Sequence, residues 1–239
     1  MPLFFRNRAT DIEIMDDLSL GGEVLTGALD DLARVARWLG GTQIVRSGMK
    51  HILRSLDYDH TQPLRVADLG CGGGEALRDL AQWAQKAGIE LQLTGIDANA
   101  AAIDYARKAS HEFSQITFLQ ENIVEDDCRF GEYDVIMCSL VLHHFDEETH
   151  LRMIRRMKES GVKAILINDL QRSALAWSLF QVVSRIFSFS HMARYDGLLS
   201  IRKSFTRQEL VDLMKNSGIQ TYSLSWKWAF RYQLIALIS

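Results

Sequence analysis

Asp68-Leu69-Gly70-Cys71-Gly72-Gly73-Gly74-Glu75-Ala76 is the stretch that decides the fold. Ahead of it, Leu64 to Leu69 is a short apolar run ending at the glycines, the pattern of a buried strand. Behind it, Ala76, Leu77, Leu80, Trp83 and Ala84 recur at helical spacing, which predicts a helix from Glu75 to Gly88. Four glycines in the five positions 70–74 give a turn that can adopt positive φ. With no Cβ in the way, such a turn also lets backbone approach a ligand, and the strand–turn–helix context is what gives the glycines that meaning.

Outward from the turn the same alternation repeats. Leu91–Ile96, Ile116–Leu119, Tyr133–Cys138 and Lys163–Asn168 read as strands, and Asn99–Ser110 and Glu147–Ser160 as helices. Strands alternating with helices predict a parallel sheet covered on both faces. Thr206 and Glu209 have capping-box spacing and open a helix over 207–216, which Gly218 ends. Ile219–Ser225 and Phe230–Ile238 close the chain as two strands of a hairpin. The fold class is therefore α/β, a Rossmann-like sheet of seven mostly parallel strands with an antiparallel C-terminal hairpin and a helical cap. Residues 10–57 read as about three helices, punctuated by Gly21-Gly22 and Gly40-Gly41. Four parts are expected: a cap segment over 1–60, the ligand-binding core over 61–170, a helical lid over 171–204, and a closing helix and strands over 205–239.

Composition excludes several function classes. A net charge of −3 and a pI near 6.2 give no basic face for nucleic acid. Arg152, Arg155, Arg156 and Lys158 follow Glu147 and Glu148 on one helix and read as a solvated face, and His150 as a surface residue beside them. Cys71, Cys128 and Cys138 have no CxxC spacing, which predicts a reducing compartment and no metal site. Asp11, Glu13, Asp16 and Asp17 crowd the start, unlike a signal peptide. Ala174–Phe189 is interrupted by Arg185 and too short to cross a bilayer, so membrane insertion is not expected. A cytoplasmic monomer or homodimer is the expectation.

The ligand follows from charge. A dinucleotide fingerprint counted from Gly70 places its third glycine at Glu75, whose carboxylate would face a diphosphate. The segment instead reads DxGxGxG, and an acid at Asp68 suits a cationic group such as the amino group of a methionine moiety. A sulfonium adds a second positive centre, so S-adenosylmethionine is favoured over NAD. The next strand ends in Gly95-Ile96-Asp97, an acid placed to bridge ribose hydroxyls, a device that NAD proteins share.

These motifs, with Tyr133-Asp134-Val135-Ile136-Met137-Cys138-Ser139-Leu140-Val141-Leu142-His143-His144-Phe145, resemble those of class I S-adenosylmethionine-dependent methyltransferases over about residues 60–170. The last segment is similar to the fourth-strand motif of the ubiquinone/menaquinone-methyltransferase-like branch. The resemblance implies S-adenosyl-L-methionine as cofactor. It puts Asp68, Gly70 and Gly72 at the methionine portion, Asp97 at the ribose, Asn122 and Ile123 at the adenine, and Ser139 and Leu140 beneath the methionine chain, with Cys71 and Ala98 also among the cofactor-binding residues. Asn122 stands where the family usually has an acid, and Glu121 competes for that position.

Methyl transfer from a sulfonium needs donor and acceptor held in near-attack geometry, and an oxygen acceptor benefits from a base. His143 and His144, just past the fourth strand, and His191, in the lid, are the candidate catalytic residues. Asp169, Arg172, Arg194 and Tyr195 are candidates for binding substrate, and the N-terminal Arg6, Arg8 and Glu13–Asp17 for closing over the cofactor. Leu175, Trp177, Leu179, Phe180, Val183, Ile186, Phe187 and Phe189 give the lid an apolar surface suited to a hydrophobic small molecule. The reading is O-methylation of a phenolic or hydroxyl group on a secondary-metabolite-like acceptor. C-methylation of a quinone-precursor-like ring is the alternative, with a non-catalytic cofactor-binding partner protein and a nicotinamide-dependent oxidoreductase as rivals.

Overall fold

The computed structural model describes residues 5–58, 61–125 and 128–238; the first four residues and the last two of the expected cap segment lie outside them. Five strands, β1 (Leu64–Leu69), β2 (Leu91–Asp97), β3 (Ile116–Gln120), β4 (Val135–Ser139) and β5 (Ala164–Leu170), run parallel. The closing strands β6 (Tyr222–Lys227) and β7 (Arg231–Leu237) pair as an antiparallel hairpin, and β7 pairs antiparallel with β5. The order is β3-β2-β1-β4-β5-β7-β6, so the sheet reverses its winding between β1 and β4. In open α/β sheets that reversal leaves a crevice at the strands' carboxyl ends.

Side-chain alternation divides the strands between two cores. Ala67, Ile136, Ile165 and Leu234 face one way, against α5 (Glu147–Glu159) and α8 (Arg207–Asn216). Val66, Met137, Leu166 and Ile235 face the other, against α2 (Gly41–Ser55), α3 (Glu75–Ala87) and α4 (Ala100–Ala109). Asp68 follows Val66 by two residues and so shares the second face, at the carboxyl end of β1. A third cluster joins Leu25 and Leu29 of α1 (Gly22–Trp38) to Ala102 and to Met192 of α7 (His191–Lys203), tying cap to lid. The lid also contains α6 (Ala174–Ile186), whose Phe180 packs against Gly197 so closely that a Cβ there would lie 2.5 Å from the ring. No helix of the described residues is long and apolar enough to cross a membrane.

Three local expectations are corrected. Of the helices expected over 10–57, the first is one 3₁₀ turn, Ile14–Asp16. The apolar spacing there is not a buried stripe: Ile12 and Leu18 are exposed, and Asp196 of α7 holds the segment by accepting from the N–H groups of Ile14 (2.7 Å) and Met15 (3.0 Å). His150 is buried, because it shares the inner face of α5 with Met153, Ile154 and Met157. Its Nε2 bonds the Leu142 carbonyl, and burial pulls its pKa down to about 4. The basic residues of α5 are not simply solvated either: Arg155 and Lys158 donate to the carbonyls of Asn216 and Gly218, and Arg156 to that of Glu125.

Candidate active site

The glycine turn is built by backbone geometry. Gly70, Gly72 and Gly74 have φ of +66°, +50° and +74°. The turn is fastened to β2 by the N–H groups of Gly70 and Cys71, which donate to the Ile96 carbonyl at 2.8 and 3.1 Å. At Gly70 a Cβ would lie 2.3 Å from Val141 Cγ2. Gly70→Ala therefore combines an unfavourable φ with a clash inside the core. It is expected to cost about 1–3 kcal/mol, read as a lower urea midpoint, and an unchanged midpoint would refute the tight packing.

Above this turn opens a cavity of about 1010 Å³. Asp68, Gly70, Cys71, Gly72, Asp97, Ala98, Asn122, Ile123 and Ser139 all line it, with Leu140, whereas Glu121 does not. Asp68 is fully enclosed, and its Oδ1 has no hydrogen-bond partner. Burial, reinforced by the neighbouring Asp97, pushes its pKa up to about 8. Asp97 braces the turn: Oδ2 accepts from Gly72 N–H and Oδ1 from Asn99 N–H, both at 2.9 Å. Asn122 Oδ1 accepts from Val124 N–H at 3.4 Å, leaving a carbonyl with spare lone-pair capacity at the cavity wall. Asn168, also on the wall, donates to Ser139 Oγ, while its own Oδ1 is buried without a partner.

His143 and His144 line the opposite wall. His143 Nδ1 lies 2.7 Å from Asp169 Oδ1. Burial favours a neutral Asp169, but His143 and the backbone N–H of Leu170 overcome it and hold the pKa below its usual value. An ionised carboxylate only accepts, so Nδ1 carries the proton of the bond to Asp169. His144 Nδ1 lies 2.6 Å from Asp16 Oδ1. Burial opposes ionisation of Asp16, and His144, the Glu13 backbone and Lys203 together keep it strongly acidic. Glu13 reaches into the same cluster. Its Oε1 is 4.0 Å from His143 Nε2, 3.8 Å from His144 Nδ1 and 3.4 Å from Lys203 Nζ, and burial raises its pKa. Glu13, His143 and His144 bring three donor atoms within 4.8 Å of one another, with the Lys203 ammonium supplying the neighbouring positive charge.

Other expected residues stand elsewhere. Asp169 is fully buried behind His143 and is not a cavity wall. Arg172 is buried too, donating to the carbonyls of Phe5 and Ser204 and to Glu209, which makes it a brace between the chain's start and α8. His191 and Tyr195 stack on each other on the exposed side of α7, and Arg194 donates to the Phe189 carbonyl. The face that α7 turns inward is Ala193, Asp196, Gly197 and Ser200, one helical step away, so the three do not line the cavity. Arg6 is exposed, and Arg8 bonds the carbonyls of His143, Phe145 and Lys203 rather than facing a cofactor. The sequence reading passed over Lys203, Asn168 and Arg231, all far along the chain from the motifs they face.

Residues 66–161 match the methyltransferase-domain family. The chain carries a class I S-adenosylmethionine-dependent methyltransferase domain. Its S-adenosyl-L-methionine fits the cavity chemically, because the unpartnered Asp68 carboxyl lacks only a cationic donor. The methyltransferase is 22% identical over 192 residues to the carboxy-S-adenosyl-L-methionine synthase of Campylobacter lari, covering 75% of this chain and 80% of that one. It is 25% identical over 173 residues to the ubiquinone biosynthesis O-methyltransferase of Rickettsia bellii, covering 70% of this chain and 66% of that one. Human N-acetylserotonin methyltransferase, solved with S-adenosylmethionine, shares the fold with a TM-score of 0.62 at 16% identity, over 88% of this chain and 55% of that one.

Proposed function

We propose that this methyltransferase methylates a hydroxyl or phenolic oxygen of a small hydrophobic molecule, with His143 as the general base. The observation that carries the reading is the His143–Asp169 pair: His143 lines the same cavity as the glycine turn, and the bond from Nδ1 to Asp169 leaves Nε2 as the nitrogen that would meet an acceptor. Bound S-adenosylmethionine supplies an electrophilic methyl group on a positively charged sulfur. His143 Nε2 takes the proton of the acceptor hydroxyl as the oxygen–carbon bond forms and the sulfur–carbon bond breaks, and Asp169 steadies the resulting imidazolium. The cavity holds donor and acceptor together and keeps water from competing, because most of its walls are apolar, among them Leu25, Leu29, Phe180, Val183 and Phe230.

On this reading Asp68, Gly70, Cys71 and Gly72 hold the methionine portion, Asp97 and Ala98 the ribose, Asn122 and Ile123 the adenine, and Ser139 the methionine chain. Residues 61–170 and 205–239 form the cofactor core, and 1–60 and 171–204 the acceptor's enclosure. The three cysteines are free, which suits a reducing cytoplasm. The experiment is transfer of isotopically labelled methyl from S-adenosylmethionine to a panel of phenols, catechols, quinols and carboxylic acids, with the product bond assigned by mass spectrometry and NMR. Oxygen-linked label on a phenol or alcohol is expected. Label on carbon would move the reaction to ring C-methylation, and no label on any acceptor would remove the proposed activity.

A further inference from the structure

One buried cation in the cavity has no salt-bridge partner among the described residues. Arg231 opens β7, is 2% exposed and lines the cavity, and its Nε and Nη1 have no hydrogen-bond partner. Burial draws its pKa down to about 10 while Asp169 acts in the opposite sense, so the guanidinium stays charged at neutral pH. Its surroundings make room for it. Gly41 begins α2 beside it, and a Cβ there would lie 2.1 Å from Nη1. The neighbouring walls, Val35, Leu39, Leu170 and Phe230, offer no charge. A charge held in apolar surroundings without a partner is costly, and a neutral side chain of similar volume would avoid that cost.

The register shows which ligand meets it. Asp68 is level with Met137, Met137 with Leu166, and Leu166 with Ile235, three strands across. Arg231 lies four residues beyond Ile235 on β7, level with Leu170 at the end of β5. Strand spacing and rise then separate the two backbones by about 14 Å across the sheet and about 13 Å along it. An α-amino acid carries its ammonium and carboxylate on one carbon. If Asp68 holds the ammonium of the cofactor's methionine portion, the carboxylate beside it stays near β1, and Arg231 faces the other end of the cavity.

We propose that Arg231 receives a carboxylate of the methyl acceptor, so that the substrate is an apolar hydroxy acid whose hydroxyl reaches His143. This rests on the O-methyltransferase reading above. A planar carboxylate matches the guanidinium fork with two parallel hydrogen bonds and one compensating charge. A phosphate dianion would bring a second negative charge that Val35, Leu39, Leu170 and Phe230 do not balance.

The test uses the full chain saturated with S-adenosylhomocysteine and measures, by calorimetry, ω-(4-hydroxyphenyl)alkanoic acids of graded length against their primary amides. At least one acid is expected to bind about tenfold or more tightly than its amide. That preference is expected to vanish in Arg231→Gln and to survive in part in Arg231→Lys. Equal binding of acids and amides by the wild-type chain overturns the proposal without any variant, and so does failure of every acid to bind. A preference that persists in Arg231→Gln overturns it too. If Arg231→Gln instead weakens S-adenosylhomocysteine tenfold, the carboxylate belongs to the cofactor and the acceptor assignment falls. Acids that bind through Arg231 yet accept no methyl group would leave the subsite standing and overturn the O-methylation reading alone.

Discussion

Asp68→Asn is expected to weaken S-adenosylhomocysteine binding by about 10- to 100-fold and, at pH 8, to raise the melting temperature of the cofactor-free protein. Both effects come from one buried oxygen. The Asp68 carboxyl is fully enclosed, has an unpartnered Oδ1, and titrates near 8 instead of its ordinary 3.8. A hydrogen bond from a ligand ammonium to that carboxylate is charge-assisted, and its loss is worth roughly 1.5–3 kcal/mol. The sign of the stability effect follows from proton linkage. The folded chain holds this proton where the unfolded chain has released it, so the stability Asp68 contributes is fully present below about pH 4 and is lost as pH rises to about 8. An amide carries no charge at any of these pH values and escapes the loss. Cofactor binding has the opposite sign. A cationic ligand draws the proton off, so wild-type affinity is expected to rise with pH up to about 8, by at most about tenfold per unit. Calorimetry in buffers of different ionisation enthalpy reads the released proton directly. Affinity flat from pH 6 to 8, with no proton released, would show that the ligand's ammonium does not meet Asp68.

His143→Ala is expected to lower methyl transfer to oxygen by about 10²- to 10⁴-fold with the cofactor dissociation constant unchanged. The imidazole lines the cavity and its Nδ1 is bonded to Asp169, so on the proposed function it would serve the acceptor's proton and not the cofactor. Asp169→Asn is expected to approach the same loss. An asparagine oxygen in place of Oδ1, now 2.7 Å from the Leu170 N–H, still accepts from that group and from His143 Nδ1, but it brings no negative charge to steady the imidazolium. Added imidazole distinguishes chemistry from structure: partial rescue of His143→Ala is expected for a missing base and not for a distorted cavity. Full activity in His143→Ala would hand the role to His144, whose Nδ1 is tied to Asp16.

That the residues expected at the cofactor line one cavity was legible in the sequence because they are local. Asp68, Gly70 and Gly72 lie within five positions on one strand–turn–helix unit, and Asp97 ends the adjacent strand, so periodicity and charge alone bring them to one edge. The Asn122–Glu121 ambiguity illustrates the limit of that reasoning. A shift of one residue turns a side chain from wall to solvent, and only the exit geometry of β3 puts Asn122 on the cavity. The rest of the cavity was not legible. Its other walls come from the segments before β1, from 171–204 and from the hairpin, joined by contacts such as Ser200 to Glu13, 187 positions apart, which no local pattern records. The lid was recognised as apolar and helical, but the rotation of α7, which decides between Ser200 and Tyr195 as a wall, depends on Asp196 reaching Ile14 and Met15. The β4 exit shows a mixed outcome: the His-His pair was found, whereas the Asp169 partner was expected to face substrate and instead lies beneath His143.

The cavity's walls have two origins. The floor that meets Asp68 and Asp97 belongs to the span 66–161 recognisable across the family, while Glu13, Leu29, Phe180, Ser200 and Arg231 come from flanking segments on either side of it. On the proposed function the cofactor is met within 66–161, together with His143, and the acceptor is otherwise enclosed by the flanking segments. Cofactor affinity and acceptor choice are then largely separable along the chain, the first resting on the recognisable span and the second mainly on what borders it.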